Sequence, residues 1–243
     1  AASSADFNGN VTGDLAIVSD TDDDIASATI SGNVTGTITF TDANTGDDAT
    51  VTFDGGTTAQ TISGAVDGAA SSAGGIITAN LVGVTFSSAV GAVQSLELID
   101  VAASNIVTFD STVASDALTV ADAANLTFNG TATVTTTTIA NTNTTAITVG
   151  TGFSSGTAAA ASDNVILGDL VVTTTAADTI TVTMPSNFTS GHLTLVNGSN
   201  ISTAELAAIT ATNNAITTFD VVDGDAALYS GTVTLQDVVV TAT

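Results

Sequence analysis

Short runs in which every second residue is apolar recur along the chain. Val34-Thr-Gly-Thr-Ile38-Thr-Phe40, Val51-Thr-Phe53, Val93-Gln-Ser-Leu96-Glu-Leu98-Ile99, Thr179-Ile180-Thr-Val182-Thr-Met184 and Thr232-Val233-Thr-Leu235 share this period of two. Successive side chains of a strand point to opposite faces, so each run reads as a half-buried strand with threonine on the wet side. Glycine, asparagine and aspartate separate the runs, at Asp54-Gly55-Gly56, Asn129-Gly130, Asn197-Gly198 and Asp223-Gly224. These residues tolerate positive φ and mark turns. The pattern predicts an all-β chain.

One phrase repeats in degenerate form: an aliphatic residue, threonine, phenylalanine, then a polar residue. It occurs at Ile38–Thr41, Val51–Asp54, Val84–Ser87, Val107–Asp110 and Leu126–Asn129. The segments Asn105–Thr112 and Asn125–Thr131 match best, about 20 residues apart. Between Val93 and Val149 strand centres fall roughly every ten residues, which makes two strands one unit. A β-solenoid (β-helix) needs this: each coil turns apolar residues inward, and like residues stack on the next coil. Phe109 over Phe128 is the predicted stack. Successive phenylalanines of the phrase lie 13, 33, 23 and 19 residues apart, however. A β-sandwich also places short strands at intervals of about 8 to 12 residues, so one or two sandwiches are the alternative.

Ser202-Thr-Ala-Glu205 followed by Leu206-Ala-Ala-Ile209 has the form of a helix-capping box and predicts one short helix near 203–211. The apolar segment 232–243 reads as a strand, and Val238-Val239-Val240 suits one buried on both faces. No linker is visible, so residues 1–243 are expected to form a single elongated β domain. The Ala/Ser/Gly-rich stretches at 68–75 and 154–162 are its candidate sub-boundaries.

Composition narrows the function. The 243 residues include no lysine or arginine and 24 acids, for a formal charge of −24, yet 44% of them are apolar. The chain can therefore bury a core, unlike a highly charged disordered chain. Apart from His192 or the amino terminus, no side chain can form a salt bridge. Each aspartate must face water, accept hydrogen bonds or bind a cation. Nucleic acid and anionic membranes are excluded as partners, because both are bound through lysine and arginine. Trypsin-like proteases find no cleavage site, which suits an extracellular protein. Cysteine is absent, so there is neither a disulfide nor thiolate chemistry. Ala1-Ala2-Ser3-Ser4-Ala5 reads as the small-residue tail left by signal cleavage.

The only dense polar chemistry lies in three acidic groups: Asp20, Asp22, Asp23 and Asp24; Asp42, Asp47 and Asp48; and Asp220, Asp223 and Asp225 around Gly224. Calcium takes several oxygen ligands and would relieve the repulsion within such groups, so Ca2+ is the candidate ion. None of the groups has EF-hand spacing or that of the glycine-aspartate nonapeptide, and a solvated acidic turn is the plainer reading. His192 and Tyr229 are isolated, and no serine has an evident base. Only carboxylate pairs could do acid–base work, as in glycoside hydrolysis. An acidic chain without tryptophan is a poor receptor for acidic sugars. The chain is therefore expected not to be an enzyme.

The mixture of Thr, Ala, Gly, Val, Asp and Asn without Lys or Cys, and phrases such as Thr50-Val-Thr-Phe53-Asp-Gly-Gly-Thr-Thr-Ala-Gln-Thr61, resemble bacterial surface-layer proteins and the passenger β-helices of autotransporters. The likeness spans most of residues 30–200. It implies a cell-surface lattice, sheath, filament or adhesive fibre, of a kind commonly held together by calcium. The expectation is a secreted structural subunit whose partners are copies of itself, with a cell-surface glycan as a further candidate partner. A stretch of adhesin shaft and a polysaccharide-acting β-helix are the alternatives.

Overall fold

The computed structural model describes residues 2–19, 25–41, 48–69, 74–80, 83–121 and 124–140, then the strands within 144–240. Side chains are described as far as Thr135. The chain is an all-β solenoid, without a helix among the described residues. Every strand pair is parallel, including Ala5 with Ala28 and Ala28 with Val51. A sandwich of antiparallel hairpins is thereby ruled out, because parallel neighbours need a crossover and here one coil supplies it.

Three walls enclose the core. The first begins with Ser3–Phe7, Ala26–Ile30, Ala49–Asp54, Ile76–Asn80 and Leu96–Val101. The second starts with the bridges Val11 to Val34 and Val34 to Ile62. It continues through Gln60–Ile62, Val84–Phe86, Ile106–Phe109, Asn125–Phe128 and Thr144–Val149, then Thr179–Thr183, Ala208–Thr212 and Thr232–Gln236. The third runs through Leu15–Val18, Ile38–Thr41 and Val66–Gly68 to Val90 and Val113.

Coil length explains how many strands each unit shows. Asn10 bonds its counterpart 23 residues on, and the early coils have separate strands or bridges on all three walls. Further along, the step shortens to 19 residues, as between Asp100 and Thr119. The strands Val113–Val120 and Ala132–Ala140 then start on the third wall and run round onto the first without a break. Two strands per coil result, as the ten-residue spacing after Val93 predicts. The strand Ala132–Ala140 afterwards feeds both walls again, pairing with Val165–Leu167 and with Leu170–Thr173.

The interior is built in columns. On the second wall Phe86, Phe109 and Phe128 are in register, with ring centroids 5.1 and 5.3 Å apart and interplanar angles of 11° and 8°. Strands lie about 4.8 Å apart, so in-register rings stack almost face to face. Each such pair adds about 0.5–1.5 kcal/mol beyond burial. Phe53 on the first wall meets Phe86 edge-on at 5.3 Å. Phe40 fills the third-wall side. A Cβ on Gly75 would lie 2.0 Å from its ring, so the glycine there makes room for the phenylalanine.

The helix expected near 203–211 is corrected over its second half. Ala208–Thr212 is a strand, with Ile209 in register between Val182 and Val233. A ladder on both sides outweighs a local capping pattern, since helix propensity is a weak preference that tertiary context overrides. Residues 203–207 lie outside the described residues. Of the apolar segment 232–243, Thr232–Gln236 and Val239–Val240 are strands and the rest lies outside. Of the 68–75 stretch, residues 70–73 lie outside the described residues, as does the whole of 154–162.

Candidate interaction surfaces

The first coil leaves a sheet edge unpaired among the described residues. Ser3–Phe7 pairs only with Ala26–Ile30, and Leu15–Val18 only with Ile38–Thr41. In a parallel ladder, alternate residues direct their N–H and C=O to opposite neighbours. The Ser3 and Leu15 amides donate to Ile25 and Thr37 in the second coil, and the Phe7 carbonyl accepts from Ser31. Ser4, Asp6, Ala16 and Val18 therefore direct theirs outward. Between these two strands a cavity of about 290 Å3 opens onto the core, lined by Phe7, Leu15, Ile17 and Ala28 among others. Val18 is 56% exposed beside it. An apolar interior and two rows of backbone groups thus meet at one end of the ladder.

Five aspartates outside the three acidic groups take hydrogen bonds from neighbouring coils. The Asp14 carboxylate accepts from the Thr37 amide at 2.9 Å and the Thr37 hydroxyl at 2.8 Å. Those two donors, the amide first, hold the exposed Asp14 carboxyl below its ordinary pKa. Asp67 accepts from the amides of Val93 and Gln94 at 2.7 and 2.8 Å. Asp116 accepts from the Ser95 hydroxyl and Asp110 from the Asn129 amide. Asp100 takes the Thr119 hydroxyl. In a chain without lysine or arginine, backbone and hydroxyl donors occupy the place of salt-bridge partners, and they join one coil to the next.

Two buried amides do the same from inside. Gln60 donates to the carbonyls of Ile30 and Gly32 at 2.7 and 2.9 Å. Asn105 donates to Ala79 and accepts from the amides of Gly83 and Ile106. Sequence reasoning missed both. Each stands two residues before an inward-facing residue of the second wall, Ile62 or Val107, but so do ordinary turn residues. What sets them apart in the structure is full burial, which the sequence pattern alone does not reveal.

The walls differ in charge. No acid occurs in any of the eight strands of the second wall. The strands of the first and third walls carry Asp6, Asp54, Asp67, Glu97, Asp100 and Asp116. On the second wall one register column consists of threonine alone: Thr61, Thr85, Thr108, Thr127, Thr148, Thr183, Thr210 and Thr234. Thr61, Thr85, Thr108 and Thr127 alternate with the buried residues of their strands and so point outward. Their hydroxyls bond to no protein group among the described residues. Ile106, 55% exposed, stands two residues from Thr108 on the same outer face.

Of the acidic groups read from the sequence, Asp20, Asp22, Asp23, Asp24, Asp42, Asp47 and Asp225 lie outside the described residues. Asp48 is half-buried at the corner before Ala49, and its carbonyl accepts from the Ala26 amide at 3.2 Å. Asp220 and Asp223 belong to the strand Thr218–Asp223, in register with Thr194 and Asn197. The strands flanking the first two groups are in register, Val18 with Thr41 and Ala26 with Ala49. Among the described residues, no three acidic or histidine side chains are grouped to hold a metal ion. No described helix is long and apolar enough to cross a membrane.

The fold defines the class: a parallel β-solenoid whose coils are joined by side-chain acceptors. No protein-family model, curated protein or solved structure matches the chain.

Proposed function

We propose that the chain is a structural, non-catalytic element of an extracellular microbial assembly, and that it self-associates end to end by adding strands to the open edge of its first coil. The observation that carries this reading is that edge. Outward-directed backbone groups at Ser4, Asp6, Ala16 and Val18 border an apolar cavity of about 290 Å3. Unpaired strand edges recruit strands, and soluble proteins blunt them with lysine or proline. This chain has no lysine, and its one proline, Pro185, is far along the sequence from the edge.

An added copy that continues the parallel ladder enters in the same orientation. The contact is head-to-tail, with different surfaces on the two partners, and such contacts grow into filaments when the rotation does not close. The absence of lysine, arginine and cysteine supports an extracellular setting, where trypsin-like proteases are met and thiols oxidise. Calcium bridging of the acidic connections belongs to the same reading, because chains of charge −24 repel unless ions screen them. A cell-surface glycan is a candidate anchor. In a longer polypeptide the same edge would instead carry further coils, and the chain would serve as a stretch of adhesin shaft.

Electron microscopy of the full chain, with and without chelator, tests the reading. Polymers are expected, and their dissolution by chelator would support calcium. Removing residues 232–243, or introducing Ser4→Pro with Ala16→Pro, should leave monomers. Proline is tolerated where the N–H faces solvent but stops the next strand from pairing. Polymers that grow unchanged in both variants would overturn strand addition.

A further inference from the structure

We infer that the threonine column of the second wall is a lateral docking face, and that its occupant is the same wall of a second copy of this chain. The inference rests on the self-associating reading for the identity of its occupant. It concerns a different surface, the flank of the solenoid, not its end.

Charge selects this wall. A second molecule of charge −24 approaching the first or third wall meets Asp6, Asp54, Asp67, Glu97, Asp100 or Asp116. Like charges brought together without counter-charges oppose association. The second wall is free of acids along all eight strands. Asp110 stands at its rim, just beyond Phe109, with its carboxylate occupied by the Asn129 amide at 2.7 Å.

Shape points the same way, and the hydroxyls needed to pair the two faces are available. On the first wall Thr119 gives its hydroxyl to Asp100, while Thr29, Thr52 and Thr78 of the same column have no protein partner for theirs among the described residues. On the second, the hydroxyls of Thr61, Thr85, Thr108 and Thr127 have no protein partner among the described residues. Each threonine offers a donor, an acceptor and a methyl group, so two such columns can pair hydroxyls and pack methyls. Both copies carry the same ladder period of about 4.8 Å, so the columns are commensurate over their whole length. Exposed Ile106 adds an apolar contact beside Thr108.

Area sets the strength. The seven intervals of about 4.8 Å between eight strands and roughly four residues of about 3.3 Å give a face near 450 Å2 per copy. About 900 Å2 in total falls just short of the roughly 1,000 Å2 of a specific interface. An isolated pair is therefore weak, and a row of end-linked copies would bind laterally by repetition.

X-ray scattering and sedimentation of the full chain at physiological salt, from micromolar to millimolar concentration, test the inference. Two variants add the same charge. Thr85→Asp with Thr108→Asp and Thr127→Asp loads the second wall, and Thr29→Asp with Thr52→Asp and Thr78→Asp loads the first. The wild type should show a cross-section of two solenoids at high concentration. The second-wall variant should lower the lateral association constant at least tenfold, and the first-wall variant should leave it unchanged. If the triple second-wall variant loses its β-type circular dichroism, single Thr108→Asp is expected to weaken pairing in the same direction. A wild type that lengthens with a single-solenoid cross-section would overturn the lateral face and leave end-to-end growth standing. A wild type that never associates would overturn both. Equal loss in both triple variants would also sink the inference. So would faceting of ice crystals by chains of single cross-section, which would assign the hydroxyl array to ordered water.

Discussion

The first and second walls are made by the same coils, have the same parallel ladder and are built from the same few residue types, yet they solve opposite problems. The second wall places phenylalanine inside and unbonded threonine outside, with no charge in its strands. The first wall has smaller interior columns, such as Ala28, Val51, Ile77, Ile99 and Leu118, and bears acids outside. Its outward threonine at 119 serves a carboxylate in the neighbouring coil. Cohesion on the second wall thus comes mainly from stacked rings within. On the first it comes partly from polar bonds on the surface.

The largest effect expected from this contrast is at Phe109, fully buried between Phe86 and Phe128. Phe109→Ala removes two stacked contacts and opens a void that in-register neighbours cannot close, at a cost of about 3–5 kcal/mol. Urea unfolding of the variant measures it. A loss under about 1 kcal/mol would mean that the ring column does not hold the second wall.

That column was legible in the sequence. Phe109 over Phe128 followed from two matching phrases, and the register agrees. The irregular spacing of the five phrases has a geometric cause. Phe86, Phe109 and Phe128 sit on one wall, so their separations of 23 and 19 residues are coil lengths. Phe40 belongs to the third wall and Phe53 to the first, so the separations of 13 and 33 step between walls. Period two reveals which face is apolar but not which wall a strand joins, because all three walls use the same alternation. The site was harder to read. Attention falls on acids that cluster, whereas the carboxylates seen to join coils, at Asp14, Asp67 and Asp100, have their donors 19 to 27 residues away. Only the register brings them together.

A smaller effect separates the walls directly. Thr119→Val deletes the hydroxyl that Asp100 accepts and should cost about 1 kcal/mol, a charged hydrogen bond discounted for partial exposure. Thr108→Val removes a hydroxyl without a protein partner and should fall within about 0.5 kcal/mol of neutral, since valine favours strands as threonine does. Chemical denaturation of the two variants in parallel compares them. Equal losses would erase the distinction between the walls.

The smallest effect is a pH dependence at the corner between the second and third walls. Asp14 is exposed and accepts from the Thr37 amide and hydroxyl, which hold its carboxyl below the ordinary value of 3.8. A carboxylate depressed in the folded state adds stability that is fully present above its unfolded pKa. The contribution declines as pH falls below about 3.8 and is gone once the folded carboxyl has taken up its proton. Asp14→Asn keeps an acceptor oxygen for the Thr37 amide but cannot titrate. Its denaturation midpoint should therefore fall less steeply than that of the wild type on acidification below that value, while near neutrality the variant should be slightly the weaker of the two. Because water screens so exposed a site, the difference should be the least of those predicted. Parallel acid limbs in wild type and variant would show that the Thr37 donors do not discriminate the charged carboxylate from the neutral amide, and that this corner is held by its backbone ladder alone.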